Sequence, residues 1–165
     1  MLRLALLLSA TMLAGLSPQA LLTALLKSPI PDAELPHGFS HARAEKQALT
    51  ANARKYHAVG LVDVALNGPD AEDAFAWIVF PSHADAIADL DHPVLGNGVK
   101  VIDTVTGIRE SLVLTGSLNG DAVTDAAAVV GNVLVQGVVA SSKVRVPTAV
   151  ILLRAAMAHL KHVRR

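Results

Sequence analysis

Two long apolar runs, neither with a polar face, constrain the fold of this chain more than any other feature. Residues 74–80 (AFAWIVF) and 126–139 (AAAVVGNVLVQGVV) are apolar at nearly every position. Because successive side chains of a strand point to opposite sides of a sheet, a strand made from either run is buried on both sides. Gly131 and Gly137 predict one long strand with a bulge or bend in the second run. A sheet that contains both strands needs cover on each of its two faces.

Turn and cap signals surround the first apolar run. Residues 59–66 (VGLVDVAL) alternate imperfectly between apolar and polar positions, and residues 67–70 (NGPD) carry strong turn chemistry. This segment and the first apolar run therefore predict two antiparallel strands joined by a loop. Ser82, with Asp85 three residues later, resembles an N-cap with its reciprocal acid and predicts the start of a helix. Pro93 predicts the end of that helix.

The second half of the chain predicts three more strands and a final helix. Residues 99–105 and 109–115 have strand patterns, and a turn at residues 119–121 (NGD) precedes the second apolar run. Residues 147–163 begin with a proline suited to a first helical turn and end with basic side chains that complement a helix dipole. Their apolar positions recur at helical spacing, so this segment predicts an amphipathic helix.

The order of these elements predicts an α+β fold with an antiparallel sheet. Residues 61–74 (LVDVALNGPDAEDA) are echoed by residues 112–126 (LVLTGSLNGDAVTDA), and each segment leads into an apolar strand and then a helix. The echo indicates two strand-strand-helix units, as in a ferredoxin-like or α/β-barrel-like domain covering residues 58–165. Before it, residues 21–57 predict a short helix followed by a polar linker or helix. No specific family motif accompanies the pattern.

The first 20 residues predict an export signal. Arg3 gives a positive start, and residues 4–16 form an uncharged apolar run of signal-peptide length, too short to span a bilayer alone. Ala20 is the predicted cleavage position. If the run continues to residue 26, the segment is instead a retained membrane anchor, and a third interpretation makes it a buried helix of a cytoplasmic fold. We expect an exported protein, which is periplasmic, secreted or membrane-anchored outside the cytoplasm.

Composition and motifs exclude several classes of function. Lys plus Arg and Asp plus Glu number 14 each and aromatic residues are 3% of the chain, so we expect no nucleic-acid binding. The absence of Cys excludes disulfides and thiolate chemistry. His159 and His162 lie at the end of the last predicted helix, where histidine complements the helix dipole. The acidic side chains within residues 70–73 are interpreted as solvated surface. We therefore predict no metal, no cofactor and no catalytic residue.

The candidate sites come from the need to cover the sheet. The predicted helices cover one face, so the other meets a second sheet, a second subunit or an apolar ligand. Trp77, Phe80 and His83 are the predicted ligand-binding residues. Ile151 lies on the polar face of the last helix beside Arg154, and these two residues predict an interface. The expected partners are a second copy of the chain or an apolar small molecule, and a membrane only if the N-terminal segment is retained.

Together these observations predict an exported, non-enzymatic protein of the cell envelope that binds a partner or self-associates. One alternative is a small α/β-barrel-type enzyme, monooxygenase-like, with an apolar pocket near Trp77 and His83. A second alternative is a membrane-anchored accessory protein. A cavity lined by Trp77 or Phe80 with a histidine directed into it favours the enzyme, whereas a filled interior favours a binding or structural role.

Overall fold

A single antiparallel sheet of seven strands organises the protein. The computed structural model describes residues 15–28, 30–70, 72–93 and 98–165. The strands are β1 (Ser40–Gln47), β2 (Gly60–Asn67), β3 (Glu72–Val79), β4 (Lys100–Asp103), β5 (Ser111–Leu118), β6 (Asp121–Val130) and β7 (Val133–Ser141). The helices are α1 (Pro18–Lys27), α2 (Ala51–Lys55), α3 (His83–Asp91) and α4 (Val146–Val163), and a 3-10 turn spans Asp32–Glu34.

The prediction of an α+β fold with an antiparallel sheet is confirmed, but the finer arrangement differs from two strand-strand-helix units. The strand order is β1-β2-β3-β7-β6-β5-β4. Strands β1 to β3 form one meander and strands β4 to β7 form another. The two meanders meet where β3 pairs with β7, and β1 and β4 are the edges of the sheet. Every described neighbour is antiparallel, so the helix between β3 and β4 connects the two meanders rather than closing a repeated unit. The echo between residues 61–74 and 112–126 reflects two hairpin turns of similar chemistry.

The second apolar run is two strands, so the prediction of one long bent strand is wrong. Gly131 has φ +62° and, with Asn132, turns the chain between Val130 and Val133, which are paired across the hairpin. A two-residue turn with glycine in its first position suits the twist of such hairpins. Gly137 serves close packing instead, since a Cβ there would lie 2.3 Å from the carbonyl oxygen of Ala149 in α4.

The polar segment after residue 40 also differs from its prediction. Residues 40–47, expected as a surface helix or linker, form the edge strand β1, and only residues 51–55 are helical. Ala44 packs against the core, whereas Arg43 and Glu45 lie outside it and form an ion pair of 2.8 Å. Charged side chains of this kind protect an exposed sheet edge from further strand pairing.

Helices α1 and α4 cover one face of the sheet. Trp77 of β3 is buried beneath α4, and its Nε1 donates a hydrogen bond to the carbonyl oxygen of Ala156 at 3.2 Å. In α1, Leu22 occupies the space above Gly60, where a Cβ would lie 2.4 Å from the leucine Cδ2. The predicted helix at residues 21–26 is therefore confirmed and begins earlier, at Pro18, with the Ser17 side chain as its N-cap.

The predicted export segment meets the described structure only at its end. Residues 1–14, which hold most of the apolar run, lie outside the described residues. Ala20, the predicted cleavage position, lies in the first turn of α1, and its N–H donates to the Ser17 Oγ at 3.2 Å. Cleavage after Ala20 would therefore remove this N-cap.

Helices α2 and α3 cover part of the opposite face, so the expectation that helices cover one face only is wrong. Ala53 of α2 and Ala86 and Leu90 of α3 pack with Ile78 and Phe80 in a second core. The predicted cap of α3 is confirmed, because the Ser82 Oγ accepts from the Asp85 N–H at 3.1 Å. These two helices are short and leave a cleft between themselves and the sheet.

Candidate functional site

The cleft between the sheet and helices α2 and α3 has a volume of about 400 Å³. Its floor consists of side chains that alternate onto this face from β3, β5, β6 and β7: Ile78, Leu112, Leu114, Asp125, Ala127, Leu134 and Gln136. Its wall comes from α2, α3 and the residues next to them: Thr50, Ala51, Asn52, Asp89, Leu90 and Pro93. Most of this lining is apolar, and the volume falls in the range of small-molecule sites.

One carboxyl group interrupts the apolar floor. Asp125 of β6 and Gln136 of β7 are diagonal neighbours, because Gln136 pairs with Ala127. The Gln136 Nε2 donates to the Asp125 Oδ2 at 2.7 Å, while the Oδ1 is buried and has no hydrogen-bond partner among the described residues. Burial raises the Asp125 pKa to about 7, and the bond from Gln136 opposes this rise. The carboxyl group is therefore about half ionised at neutral pH.

A polar clamp holds the wall of the cleft. Asn52 of α2 donates through its Nδ2 to the Asp89 carboxylate of α3 and to the carbonyl oxygen of His92, the latter at 3.1 Å. Burial raises the Asp89 pKa, and the hydrogen bond from Asn52 opposes the rise. Because α2 has only five residues, this clamp to the longer α3 explains how such a short helix keeps its position.

The described lining of the cleft carries few ionisable side chains. Among its described lining residues, the ionisable ones are Asp89 and Asp125, and none is Lys, Arg or His. The one hydroxyl group in that lining belongs to Thr50, whose Oγ1 accepts from the Ala53 N–H as the cap of α2. The described lining thus offers apolar contact and a hydrogen-bond acceptor.

The structure does not bring Trp77, Phe80 and His83 together, and none of the three lines the cleft. Trp77 and Phe80 are an odd number of positions apart, so strand alternation directs them to opposite faces, where each is fully buried. His83 is exposed at the start of α3, with its Nδ1 2.6 Å from the carbonyl oxygen of Gly131. That contact, followed by the influence of Glu110, raises the His83 pKa. Among the described residues, these three side chains therefore share no cavity in which they could bind a ligand together.

The predicted interface residues lie near each other on α4. Ile151 is 48% exposed, and Arg154 one turn later donates through its Nη2 to the carbonyl oxygen of Thr106 at 2.9 Å. This bond ties the β4–β5 connection to α4, which is a structural role within one chain. Self-association through this surface stays a prediction.

A second polar cluster is structural. Arg145 donates to the Asp70 Oδ1 at 3.1 Å from its Nε, and the Ser141 Oγ donates to the same oxygen at 2.8 Å. These bonds tie the β2–β3 turn to the start of α4. Asp73, near the start of β3, is 2% exposed, and burial raises its pKa. The interpretation of residues 70–73 as solvated surface is therefore wrong for Asp70 and Asp73.

The sequence analysis did not predict the Asp125–Gln136 pair of the cleft, although the sequence contains a signal for it. Gln136 is the one polar side chain in residues 133–140, and Asp125 directly precedes a run of apolar residues. A polar residue in a strand that is buried on both faces requires a partner, and neighbouring strands offer one. Pairing these two residues needed the β6–β7 hairpin, which the sequence analysis interpreted as one strand.

The fold and cleft together define the class of this protein: an α+β domain with one antiparallel sheet, helices on both faces and a mostly apolar cleft on one of them. In the described part of the chain, no helix combines the length and apolar character needed to cross a membrane. Over those same residues, no group of three or more His, Cys, Asp or Glu side chains is arranged to hold a metal ion.

Comparison with known proteins supports the fold alone. No protein-family model matches the chain, and no curated protein matches it. Among solved structures it is similar to the extracellular domain of PknH from Mycobacterium tuberculosis, with a TM-score of 0.56 and 10% sequence identity. The match covers 82% of this chain and 98% of that domain.

Proposed function

We propose that this protein is an exported, non-enzymatic binding protein that holds a small apolar molecule in the cleft between its sheet and helices α2 and α3. The observation that supports this proposal most strongly is the cleft itself, which has a volume of about 400 Å³ and a floor of mostly aliphatic side chains. Leu112 and Leu114 are only partly buried on that floor. A ligand that covers them would remove apolar surface from water at about 25 cal/mol per Å².

Two observations support a location outside the cytoplasm. The first is the N-terminal pattern of a positive residue followed by the apolar run of residues 4–16. The second is the PknH structure of similar fold, which is an extracellular domain. Neither depends on the cleft, so the location and the binding role are tested separately.

The lining chemistry favours binding over the enzymatic alternative. The monooxygenase-like interpretation required a cavity lined by Trp77 or Phe80 with a histidine directed into it. The cleft is instead lined, in its described part, by aliphatic side chains, two carboxyl groups, two side-chain amides and one hydroxyl group. Such a lining supplies shape, apolar contact and one unpaired acceptor, which suffice for recognition.

Titration with a neutral apolar dye tests this proposal. N-phenyl-1-naphthylamine fluoresces more strongly in apolar surroundings, and we expect the wild-type protein to give a saturable rise in its emission. Leu114→Trp fills the cleft, so we expect it to weaken binding about tenfold or more, equivalent to about 1.4 kcal/mol. The matched control is Leu118→Trp on the same strand, where the leucine is 54% exposed and does not line the cleft. No saturable binding by the wild type, or equal effects of the two substitutions, would contradict the proposal.

A further inference from the structure

We infer that the cleft selects ligands that carry an ammonium group on an apolar body, and that Asp125 binds the ammonium. The inference rests on the proposed function and adds the chemical class of the ligand. It assigns the aliphatic floor to the apolar body and the carboxyl group of Asp125 to the charged end.

The first support is the hydrogen bonding of Asp125. Its Oδ2 accepts from the Gln136 Nε2 at 2.7 Å, which fixes the orientation of the carboxyl group. Its Oδ1 is buried and unpaired among the described residues, although the side chain lines the cleft. A buried acceptor without a partner is destabilising, and a ligand N–H that met this oxygen as the side chain turned toward the cleft would remove the penalty.

The second support is the sign of the charges that line the cleft. Asp125 on the floor and Asp89 on the wall are its ionisable groups in the described lining. Further along the same sheet face lies Asp63, because the pairing register aligns Asp63, Ala76 and Gln136 across three strands. Asp89 and Asp125, the two that line the cleft, disfavour a carboxylate or phosphate ligand and favour a cation.

Basic side chains on α2, on β1 and at the end of α3 are engaged elsewhere. On α2, Arg54 donates to the carbonyl oxygen of Leu49, and the Lys55 Nζ lies 5.0 Å from the centre of the Tyr56 ring. His92, at the end of α3, has its Nδ1 3.0 Å from the carbonyl oxygen of Ala88. On the edge strand β1, Arg43 and Glu45 pair with each other. No described cation therefore lines the cleft to neutralise Asp125.

The ionisation of Asp125 gives the inference a pH dependence. An alkylammonium group has a pKa near that of Lys, about 10.4, and stays charged throughout the neutral range. Burial raises the Asp125 pKa to about 7 in the protein without ligand, so its carboxyl group is mostly neutral about one pH unit lower and mostly ionised about one unit higher. Affinity for the ammonium group should therefore rise with pH across this range.

A matched series of three ligands tests the inference. Octylamine, 1-octanol and octanoate share one chain length and differ in charge, and each competes with bound N-phenyl-1-naphthylamine. At about pH 8 we expect octylamine to bind about tenfold or more tightly than 1-octanol, and octanoate to bind most weakly. Between about pH 6 and about pH 8 the octylamine affinity should increase about tenfold, while that of 1-octanol stays within about twofold.

A pair of substitutions assigns the effect to one carboxyl group. Asp125→Asn should abolish the preference for octylamine while the dye still binds. Asp63→Asn is the matched control, because Asp63 lies on the same sheet face but does not line the cleft. This control should keep the preference. The pH series on the wild-type protein needs no substitution and gives the answer even if a variant does not fold.

The outcomes separate this inference from the proposed function. The inference would be overturned if the dye binds and the three ligands compete equally. It would also be overturned if Asp125→Asn keeps the preference for octylamine. Either result would leave the apolar binding role standing. An octylamine affinity that does not change with pH would also overturn it. If the dye itself does not bind, the proposed function fails, and the inference fails with it.

Discussion

At the scale of single residues, Asp125 and Gln136 are, apart from Asp121 at the very start of β6, the polar positions on the cleft-facing side of β6 and β7. The other side chains that alternate onto that side are Val123, Ala127, Val129, Leu134, Val138 and Ala140. A carboxyl group among them lowers stability when it is ionised, since burial raises its pKa to about 7. At a binding site, a ligand supplies the missing partner of this carboxyl group, which accounts for its presence there.

This placement predicts how stability changes with pH. The folded pKa of Asp125 is raised from 3.8 to about 7, so between these values the folded protein binds more protons than the unfolded chain. Stability from this group is therefore complete below about pH 4, falls as pH rises, and is fully lost above about pH 7. Burial raises the pKa values of Asp63, Asp73 and Asp89 too, which adds in the same direction.

Asp125→Asn should consequently stabilise the free protein at about pH 8, by about 1–4 kcal/mol, and change its stability little at about pH 4. Urea unfolding, followed by the fluorescence of the single tryptophan, Trp77, measures this difference. Glu72→Gln in an exposed position is the control and should have a small effect at both pH values. Equal effects of Asp125→Asn at the two pH values would contradict the explanation.

At the scale of elements, the sequence predicted those whose ends carry local signals. Ser82 and Pro93 marked the two ends of α3, and residues 67–70 marked the β2–β3 turn. The sequence analysis missed β1, because its strand character comes from pairing with β2 and, among its described side chains, Ala44 alone packs against the core. It also missed the β6–β7 turn, because apolar residues on both sides of Gly131 and Asn132 resemble one continuous strand.

Helix α1 belongs to the core, which predicts the effect of truncation. Leu21, Leu22 and Leu25 are each 1% exposed, and Ser17 caps the helix. A chain that starts at Leu21 lacks the cap and the first turn, so it should be less stable than a chain that starts at Leu16 by about 1–2 kcal/mol. Urea unfolding of the two chains measures the difference. Equal stability would show that the first turn of α1 contributes nothing.

At the scale of the whole molecule, the strand order assembles the cleft. β3, β7, β6 and β5 lie side by side, and α2 and α3 add Asn52 and Asp89 from distant parts of the chain. Residue patterns predicted most of these elements and the apolar character of their strands. They could not predict which strands are neighbours, because that depends on long-range packing. For this reason the sequence analysis predicted Trp77, Phe80 and His83 as ligand-binding residues, whereas the cleft is lined by other residues.

Export is also a property of the whole chain. When the protein is expressed with its own N-terminus in a bacterial host, we expect a product outside the cytoplasm. If the signal is cleaved, intact mass should show a chain shortened near Ala20, whereas a retained anchor leaves a full-length, membrane-bound chain. Cell fractionation and mass spectrometry distinguish these forms. A full-length chain in the cytosol would contradict export while leaving the binding proposal open to its own test.

The most direct test of the binding role is amide and side-chain NMR of the isotopically labelled protein during titration with 1-octanol. The proposal predicts saturable shifts confined to the cleft, including the side-chain amide of Gln136 and the backbone of Leu112, Leu114 and Asn52. Residues of α4 such as Ile151 should not shift. Shifts centred on α4, or none at millimolar octanol, would contradict the assignment of the cleft as the binding site.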